Sequence, residues 1–329
     1  MWSQIKRITG LAALALGCIV HQVAYAKPYP TQPIKIVAPA GPGSTSDIIA
    51  RILAQRLEKE LKTTIIVENR PGASGTIAAQ YVVSSNADGY IFFLGSSGIM
   101  TLVPHILPSV KFDSKKDFTP ISYLGSMPNV LVVNANSPIK NFDDFKSTAK
   151  SKAGGLAYGS TGVGGAGWIT MELLRRQADL DVTGVAYRGD APALADLVGG
   201  HIDFVFNPLA GSIGQITAGA VRPLAVSSMH RAPQLPDVPT LNETGYKQFN
   251  VIQWYGLYGP ADVEEGVRNT VRTAIASLTK SPEFQQQLST LGVDLLSNAP
   301  ESFEQFHSAE ADRWAKILFD IGALAVDKK

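Results

Sequence analysis

The sequence has few of the residues that form covalent cross-links or metal sites. Its 329 residues include one cysteine, Cys18, which lies in an N-terminal leader described below. The part that follows the leader therefore has neither a disulfide nor a thiol nucleophile. The five histidines, at positions 21, 105, 201, 230 and 307, show no metal-ligand spacing, so no metal is expected. His201 falls in a predicted helix-to-strand turn, where a solvated side chain is expected rather than a catalytic one.

An excess of one charge and long apolar runs are also missing. The chain carries 29 basic and 28 acidic residues, a formal net charge of +1. This balance gives no reason to expect nucleic acid or an anionic membrane surface as a partner. Beyond the leader, no stretch reaches about 18 uninterrupted apolar residues, so no membrane-spanning helix is predicted. The phosphate loop G-x-x-x-x-G-K-[ST] and the nucleophile elbow G-x-S-x-G do not occur either.

The N-terminus has the three parts of a secretory signal peptide. Lys6 and Arg7 form a basic start, an apolar run covers 8–20, and an Ala-x-Ala cleavage pattern ends at Ala26. Cys18 lies in a poor lipid-attachment pattern, so we expect release into the periplasm by cleavage after Ala26. Residues 1–26 are therefore interpreted as a signal peptide.

The rest of the sequence alternates strand-like with helix-like segments. A buried strand is predicted at "IKIVAP" (34–39), and further strands at "TIIVENR" (64–70) and "GYIFFLGSSG" (89–98). The alternation restarts at "GLAYGS", "VTGVAYRG" and "IDFVFN". One helical face collects Ile48, Ile49, Ile52, Leu53, Leu57 and Leu61. Helices are predicted in the tail at 267–280, 282–291 and 301–321. This order favours an α/β fold with parallel sheets covered by helices.

Two extended segments divide this alternation. The first is 118–138 and the second is 221–228, before a proline-rich stretch. Two crossings between two parallel-sheet lobes describe a two-lobed binding-protein fold with a ligand cleft between the lobes. The predicted division is 27–122 plus 229–329 for lobe 1 and 123–228 for lobe 2. A single continuous sheet with a long insertion is the alternative.

Loops rich in Gly, Ser and Thr follow the predicted strands. Ligands in open parallel sheets bind beyond the carboxyl ends of the strands, and those positions hold "AGPGSTSD" (40–47), "PGASGT" (71–76), "GSSG" (95–98), "GSTGVGGAG" (159–167), "YRGD" (187–190) and "NP" (207–208). Glycine permits close approach of the backbone, hydroxyls donate hydrogen bonds, and the start of a helix attracts negative charge. These loops predict an anion site built mainly from neutral donors.

One of these loops also fits a dinucleotide fingerprint. Gly162, Gly164 and Gly167 have G-x-G-x-x-G spacing, and Asp190 lies about 20 residues further on, where an acid is required. However, Arg188 precedes that acid, polar residues interrupt the junction between strand and glycines, and exported proteins seldom use free nicotinamide cofactors. The interpretation as an anion-binding turn is preferred. A secreted NAD(P)-dependent oxidoreductase stays as the alternative.

Taken together, these motifs resemble the extracytoplasmic solute receptors of the Bug family, the binding proteins of tripartite tricarboxylate transporters. The matching pieces occur in the family's order along essentially the whole chain after the leader: "IKIVAPAGPGSTSDIIAR", "VENRPGASGTIAA", "NADGYIFFLG", "GSTGVGGAG", "VAYRGDAPALADLVGGHIDFVFN" and "EADRWAKI". The resemblance implies two α/β lobes that close on a small organic acid, with no catalysis and no cofactor.

The resemblance also implies a set of ligand-binding residues. The first and second strand-to-helix loops would hold a carboxylate, partly through water, and the other lobe would face it. The implied residues are Ala40, Gly43, Ser44, Thr45, Ser46, Asp47 and Ser74 on one side and Ser160, Thr161, Gly162, Tyr187 and Asn207 on the other. From the sequence alone, Asp47 is expected to cap a helix, with ligand contact second.

Departures from the family pattern leave the ligand open. The family usually has an aromatic residue at Ala40 and a glycine at Ser44, and often a histidine near Gly167. Ala40 enlarges the pocket and Ser44 adds a hydroxyl. Di- and tricarboxylates, amino acids, aromatic acids and nicotinate-like compounds are all candidates. The expected partners are membrane transport subunits, with a signalling sensor as the alternative, and the chain is expected to be a monomer.

Overall fold

A computed structural model describes residues 29–295 and 301–324. The expected signal peptide, residues 1–26, lies outside the described residues. Over the described ranges, no helix combines the length and the apolar composition needed to cross a bilayer.

The predicted α/β class is confirmed, and within the described residues nine strands form one mixed sheet. The strands are β1 Ile34–Ala38, β2 Ile65–Asn69, β3 Ile91–Ser96, β4 Phe118–Asn134, β5 Leu156–Ser160, β6 Val182–Ala186, β7 Phe204–Pro208, β8 Val221–Val226 and β9 Ile252–Pro260. The helices are α1 Thr45–Leu61, α2 Thr76–Val83, α3 Val103–Ile106, α4 Phe142–Ser151, α5 Ala166–Ala178, α6 Asp190–Val198, α7 Leu209–Thr217, α8 Glu265–Thr279, α9 Pro282–Thr290 and α10 Phe303–Asp320. A 3-10 turn, Ala73–Gly75, precedes α2, and a π-helical turn, Gly98–Leu102, runs into α3.

The first half of the molecule consists of β1, β2, β3, β9 and the start of β4, with the helices packed on them. β1 lies between β2 and β3 and is parallel to both, so Ile36 pairs with Val67 on one side and with Phe92 on the other. β9 joins the far edge of β3 in the antiparallel sense. The parallel β1–β3 group brings three strand ends, and the loops that follow them, to the same edge.

The second half consists of β5 to β8 and the end of β4, with their helices. β5 lies between β6 and β7 and is parallel to both. β7 and β8 pair with β4 on opposite sides, both antiparallel. The sheet in each half is therefore mixed, not wholly parallel as predicted. In the first half β9 is antiparallel to β3, and in the second half β4, the strand that connects the halves, is antiparallel to β7.

The long strand β4 connects the halves. It has 17 residues; 118–128 pair with β9 in the first half and 129–134 pair with β7 and β8 in the second. The predicted crossing at 118–138 is thus one continuous strand. The second predicted crossing, 221–228, is mostly β8, which stays in the second half, and the chain returns to β9 through 227–251. The extended character of this segment could not show which neighbour it pairs with.

Both faces of the sheet are covered in each half, which explains the nearly continuous apolar strands. Along β1, Ile36 belongs to the core on the α1 side, whereas its neighbour Val37 belongs to the core on the α2 side. Leu131 and Val132 divide in the same way between the two cores of the second half. Successive strand residues point to opposite faces, so each apolar run fills two cores at once.

The C-terminal helix α10 packs on both halves. Phe303 and Phe306, at its start, lie against the first-half core around Trp254, with ring centroids 6.0 and 5.4 Å from the Trp254 ring. Trp314 and Leu318, two and three turns later, are buried in the second-half core. This helix is therefore a third connection between the halves, besides β4 and the 227–251 segment.

Candidate functional site

Loops from both halves surround one cavity of about 760 Å³. They follow the carboxyl ends of β1, β2 and β3 in the first half and of β5, β6 and β7 in the second. This is where a ligand is expected in open α/β sheets, since the loops beyond the strand ends converge there. The six loops that the sequence selected all contribute to this one cavity.

The second loop of the first half has an unusual backbone. Gly72, Ala73, Ser74 and Gly75 all have positive φ, at 127°, 46°, 53° and 87°. Two of them carry side chains, and non-glycine residues in this conformation are uncommon and strained. The loop holds Ser74 on the wall of the cavity. Backbone strain of this kind is concentrated at functional sites.

The glycine-rich turn of the second half forms the opposite wall. Gly162 and Gly164 have φ of 95° and 85°, which favours glycine at both positions. At Gly167 a side chain would overlap the carbonyl oxygen of Phe206, so this glycine lets α5 pack closely on β7. A Cβ on Gly162 would lie 2.9 Å from the Ser74 hydroxyl. The turn therefore meets the first half at its tip.

Two buried hydrogen-bond donors on the cavity wall lack a partner within the described residues. They are the hydroxyl of Ser46, in the first turn of α1, and the side-chain nitrogen of Asn207, at the end of β7. These residues are only 4% and 3% exposed. A buried donor without a partner destabilises the protein by about 1–3 kcal/mol, so the arrangement favours a ligand that brings acceptor oxygens.

A third polar group comes from β9. The Ser97 hydroxyl donates to the Gln253 Oε1 atom at 2.8 Å and holds this buried side chain on the cavity wall. Tyr255 also lines the cavity and is 4% exposed. Burial raises the pKa of its phenol well above the ordinary value, and the charge of Asp190 adds to the shift. Tyr255 therefore stays protonated.

The start of α1 is occupied by a carboxylate of the chain itself. Both Asp190 carboxylate oxygens accept from the backbone N–H of Thr45, at 3.1 and 3.0 Å, and Oδ2 also accepts from the Thr45 hydroxyl. Next to this contact, the Ser44 hydroxyl accepts from the N–H of Ala191 at 3.4 Å. Gly41 donates its N–H to the carbonyl of Arg188 at 3.3 Å. The first loop is thus hydrogen-bonded to the second half.

Asp47 stabilises the loop that precedes its helix. Its carboxylate accepts from the N–H of Gly43 and the amide of Asn69, both at 2.9 Å, and pairs with Arg51. Burial alone would raise the pKa of Asp47, but the hydrogen bonds from Arg51, Gly43 and Asn69 outweigh it and hold the pKa below its usual value. The sequence suggested a helix cap, but the N–H that Asp47 accepts from belongs to Gly43, which precedes α1, so Asp47 stabilises the loop instead.

The structure places the implied ligand residues in two groups. Those on the cavity wall are Ala40, Ser46, Ser74, Thr161, Gly162, Tyr187 and Asn207. Those behind it are Gly43, Ser44, Thr45, Asp47 and Ser160. Ser160 accepts from the N–H of Gly162 at 3.2 Å within the turn. The Tyr187 hydroxyl donates to Asp196 at 2.7 Å, and burial together with that bond raises the pKa of Tyr187 to about 12.

Sequence reasoning missed Gln253, which lies on the part of the wall supplied by β9. Gln253 is a polar residue in a strand of otherwise apolar and aromatic residues, which was the available signal. The adjacent aromatic pair divides: Tyr255 lines the cavity, whereas Trp254 faces the core around Phe303. Strand alternation predicts that the pair separates, but it does not show which member faces the ligand.

Comparisons with known proteins agree with this geometry. The family model described as the tripartite tricarboxylate transporter family receptor matches residues 49–323. BugT of Bordetella pertussis is 28% identical over 296 residues, covering 90% of this chain and 91% of that protein. Rpa4515 of Rhodopseudomonas palustris, solved with adipate, has a TM-score of 0.86 at 30% identity over 90% of this chain and 99% of that one. MatC of the same organism, solved with malate, has a TM-score of 0.83 at 29% identity over 88% and 100% of the chains.

Proposed function

Since the chain belongs to the tripartite tricarboxylate transporter family of receptors, we propose that it is a periplasmic protein that binds a small organic acid and delivers it to membrane transport subunits. The acid occupies the 760 Å³ cavity between the halves. The chain acts by binding and release, without catalysis or a cofactor, and works as a monomer. The adipate and malate bound by the two Rhodopseudomonas proteins support a carboxylate as the ligand.

The observation that carries this proposal concerns two hydrogen-bond donors without a partner within the described residues, the Ser46 hydroxyl and the Asn207 side-chain nitrogen. They belong to opposite halves, they are buried, and both line the same cavity. A carboxylate offers two oxygens with several lone pairs, so it can accept from both donors at once. Hydrogen bonds to a charged acceptor contribute about 1.5–3 kcal/mol each, which is enough to hold one carboxylate without a lysine or arginine.

The same arrangement supports a clamp. The halves are the proposed lobes, 27–122 plus 229–329 and 123–228, with β4 and the returning 227–251 segment as hinges. A ligand that bridges Ser46 and Asn207 stabilises the closed state, since it contacts both only when the cleft is shut. The remaining proposed contacts are those of Ala40, Ser74, Thr161, Gly162 and Tyr187 on the wall, with Gly43, Ser44, Thr45, Asp47 and Ser160 supporting them from behind.

The test is binding of acids to the leader-free protein after refolding has removed co-purified ligand. A thermal-shift screen of carboxylates should find a ligand, and calorimetry should then show about ten- to a hundredfold weaker binding by Ser46→Ala. Ser212→Ala is the matched control, because the Ser212 hydroxyl is equally buried and unpaired but does not line the cavity. Equal losses in both variants, or no carboxylate that binds, would contradict the proposal.

A further inference from the structure

Charged side chains are scarce on the cavity wall. Among the described residues that line it, only Arg188 and Asp190 carry a charge. The Arg188 side chain is exposed, so water and salt screen its charge. Asp190 is 5% exposed, and its carboxylate is already hydrogen-bonded to Thr45. The buried charge beside the cavity is therefore negative.

That charge bears on how many carboxylates the ligand can carry. The field of Asp190 reaches the cavity wall, where it contributes to the raised pKa of Tyr255. A second carboxylate in the cavity would be desolvated close to this like charge, which is unfavourable in a low-dielectric site. One carboxylate is compensated by hydrogen bonds from Ser46 and Asn207, but the wall offers no buried cation for a second or a third.

Part of the cavity wall is apolar. Ile77 and Val163 line it from opposite halves and are 49% and 38% exposed, although such side chains are usually buried. Ile99 and Leu107 line the same cavity. Exposed apolar groups around a cavity mark a surface that a ligand covers. The cavity wall thus combines buried neutral donors with hydrocarbon side chains, of which Ile77 and Val163 are exposed.

We propose that the ligand is a monocarboxylate with an apolar body, either an aliphatic chain or an aromatic ring. Its carboxylate binds between Ser46 and Asn207, and its body lies against Ile77 and Val163. This inference rests on the proposed function and narrows it, since it excludes di- and tricarboxylates as the preferred class.

The test compares acids of equal length that differ in charge. The refolded, ligand-free chain is titrated with butanoate, hexanoate and octanoate, with succinate, adipate and suberate, and with benzoate and citrate. Each buried methylene strengthens binding about fourfold. Octanoate has two methylenes more than hexanoate, so it should bind at least about tenfold more tightly. Each dicarboxylate should bind at least about tenfold more weakly than the monocarboxylate of its length, and citrate more weakly still.

Variants at Ile77 and Val163 provide a second test. Ile77→Ser and Val163→Ser should each weaken octanoate binding about five- to tenfold and flatten the dependence on chain length. Ile66→Ser is the matched control: Ile66 is also 49% exposed but lies on β2 away from the cavity, so octanoate binding should be unchanged. Equal effects of Ile66→Ser and Ile77→Ser on octanoate binding would overturn the proposed contact between the ligand's apolar body and Ile77.

The outcomes separate this inference from the proposed function. Tighter binding of adipate than of hexanoate would overturn the inference and leave a carboxylate receptor standing. If Arg188→Gln then abolished the preference for adipate over hexanoate, the second carboxylate would be inferred to bind Arg188. Failure of every acid to bind at millimolar concentration would overturn the proposed function itself.

Discussion

The carboxylate of Asp190 accepts from the backbone N–H of Thr45 at 3.1 and 3.0 Å, although the two residues are 145 positions apart and belong to opposite halves. Thr45 is the first residue of α1, where free N–H groups and the helix dipole attract negative charge. Asp190 is itself the first residue of α6. The contact therefore connects the starts of two helices across the cleft and exists only when the halves are together.

Removing either partner of this contact should favour the open state. Asp190→Asn removes the charge of the acceptor, and Thr45→Val removes the hydroxyl donor with little change in shape. Each should weaken ligand binding about ten- to a hundredfold, since a charge-assisted hydrogen bond contributes about 1.5–3 kcal/mol. The double variant should lose less than the sum of the two, because both changes break one contact. Calorimetry with a bound acid measures all three; strictly additive losses would show that the residues act separately.

The Asp190–Thr45 contact depends on a glycine in a third element. A Cβ on Gly211, in α7, would overlap both the Asp190 carboxylate and the Thr45 hydroxyl. Gly211→Ala should therefore weaken ligand binding, even though alanine favours helix formation by up to about 1 kcal/mol. Gly214→Ala, one turn further along α7, meets open space and should raise the melting temperature without changing affinity. Equal ligand affinities of Gly211→Ala and Gly214→Ala in calorimetry would contradict this role of Gly211.

Closure of the cleft should be blocked by one methyl group at Gly98. Its Cβ would lie 2.6 Å from the carbonyl oxygen of Gly164 in the other half, and the next nearest atoms also belong to that half. Gly98→Ala should therefore fold normally but fail to close. Small-angle scattering of the unaltered protein should show a smaller radius of gyration with a tight ligand than without one. In Gly98→Ala the radius should stay at the ligand-free value; an equal decrease in both proteins would argue against closure at this point.

The sequence predicted the loops of the site better than their contacts. The loops that contain Ser46 and Asn207 were selected because small, hydroxyl-bearing loops after strands are visible in the sequence, and the family resemblance implied the two residues as ligand contacts. Whether a hydroxyl faces the ligand or the other half was not visible. Thr45 and Ser46 are adjacent, yet Thr45 binds Asp190 and Ser46 lines the cavity, a difference of 100° around one helix.

The second crossing shows the same limit at the level of the fold. Residues 221–228 were predicted to be extended, and most of them form the strand β8. The pairing of β8 with β4 rather than with the first half depends on register and on long-range contacts, which the local sequence does not encode. Likewise, the sequence predicted a helix at 301–321 but not that this helix, α10, would pack on both halves.

The last prediction concerns His307, a buried histidine in α10 away from the cavity. It is 2% exposed and packs against the rings of Trp254 and Tyr258, at 6.3 and 5.4 Å between centroids. Burial lowers its pKa from 6.5 to about 4; a hydrogen bond to the backbone of Met100 opposes the shift, and the charge of Lys115 adds to it. The folded protein therefore keeps this side chain neutral at pH values where the unfolded chain binds a proton.

The sign of the pH dependence follows from that difference. The stabilisation is complete above pH 6.5 and is lost as pH falls from 6.5 towards 4, because the unfolded state takes up the proton first. The free energy of unfolding should decrease over this range by about 3 kcal/mol from this group alone.

A variant can isolate this contribution. His307→Gln keeps a side chain able to hydrogen-bond to Met100 but does not titrate, so urea unfolding should show a flatter pH dependence. His201→Gln, at a side chain that is 71% exposed, should leave the slope as in the unaltered protein. An unchanged slope in His307→Gln would mean that destabilisation between pH 6.5 and 4 arises at other groups. Asp47 does not contribute in this range, because its lowered pKa makes its stabilisation fall only below the ordinary value of 3.8.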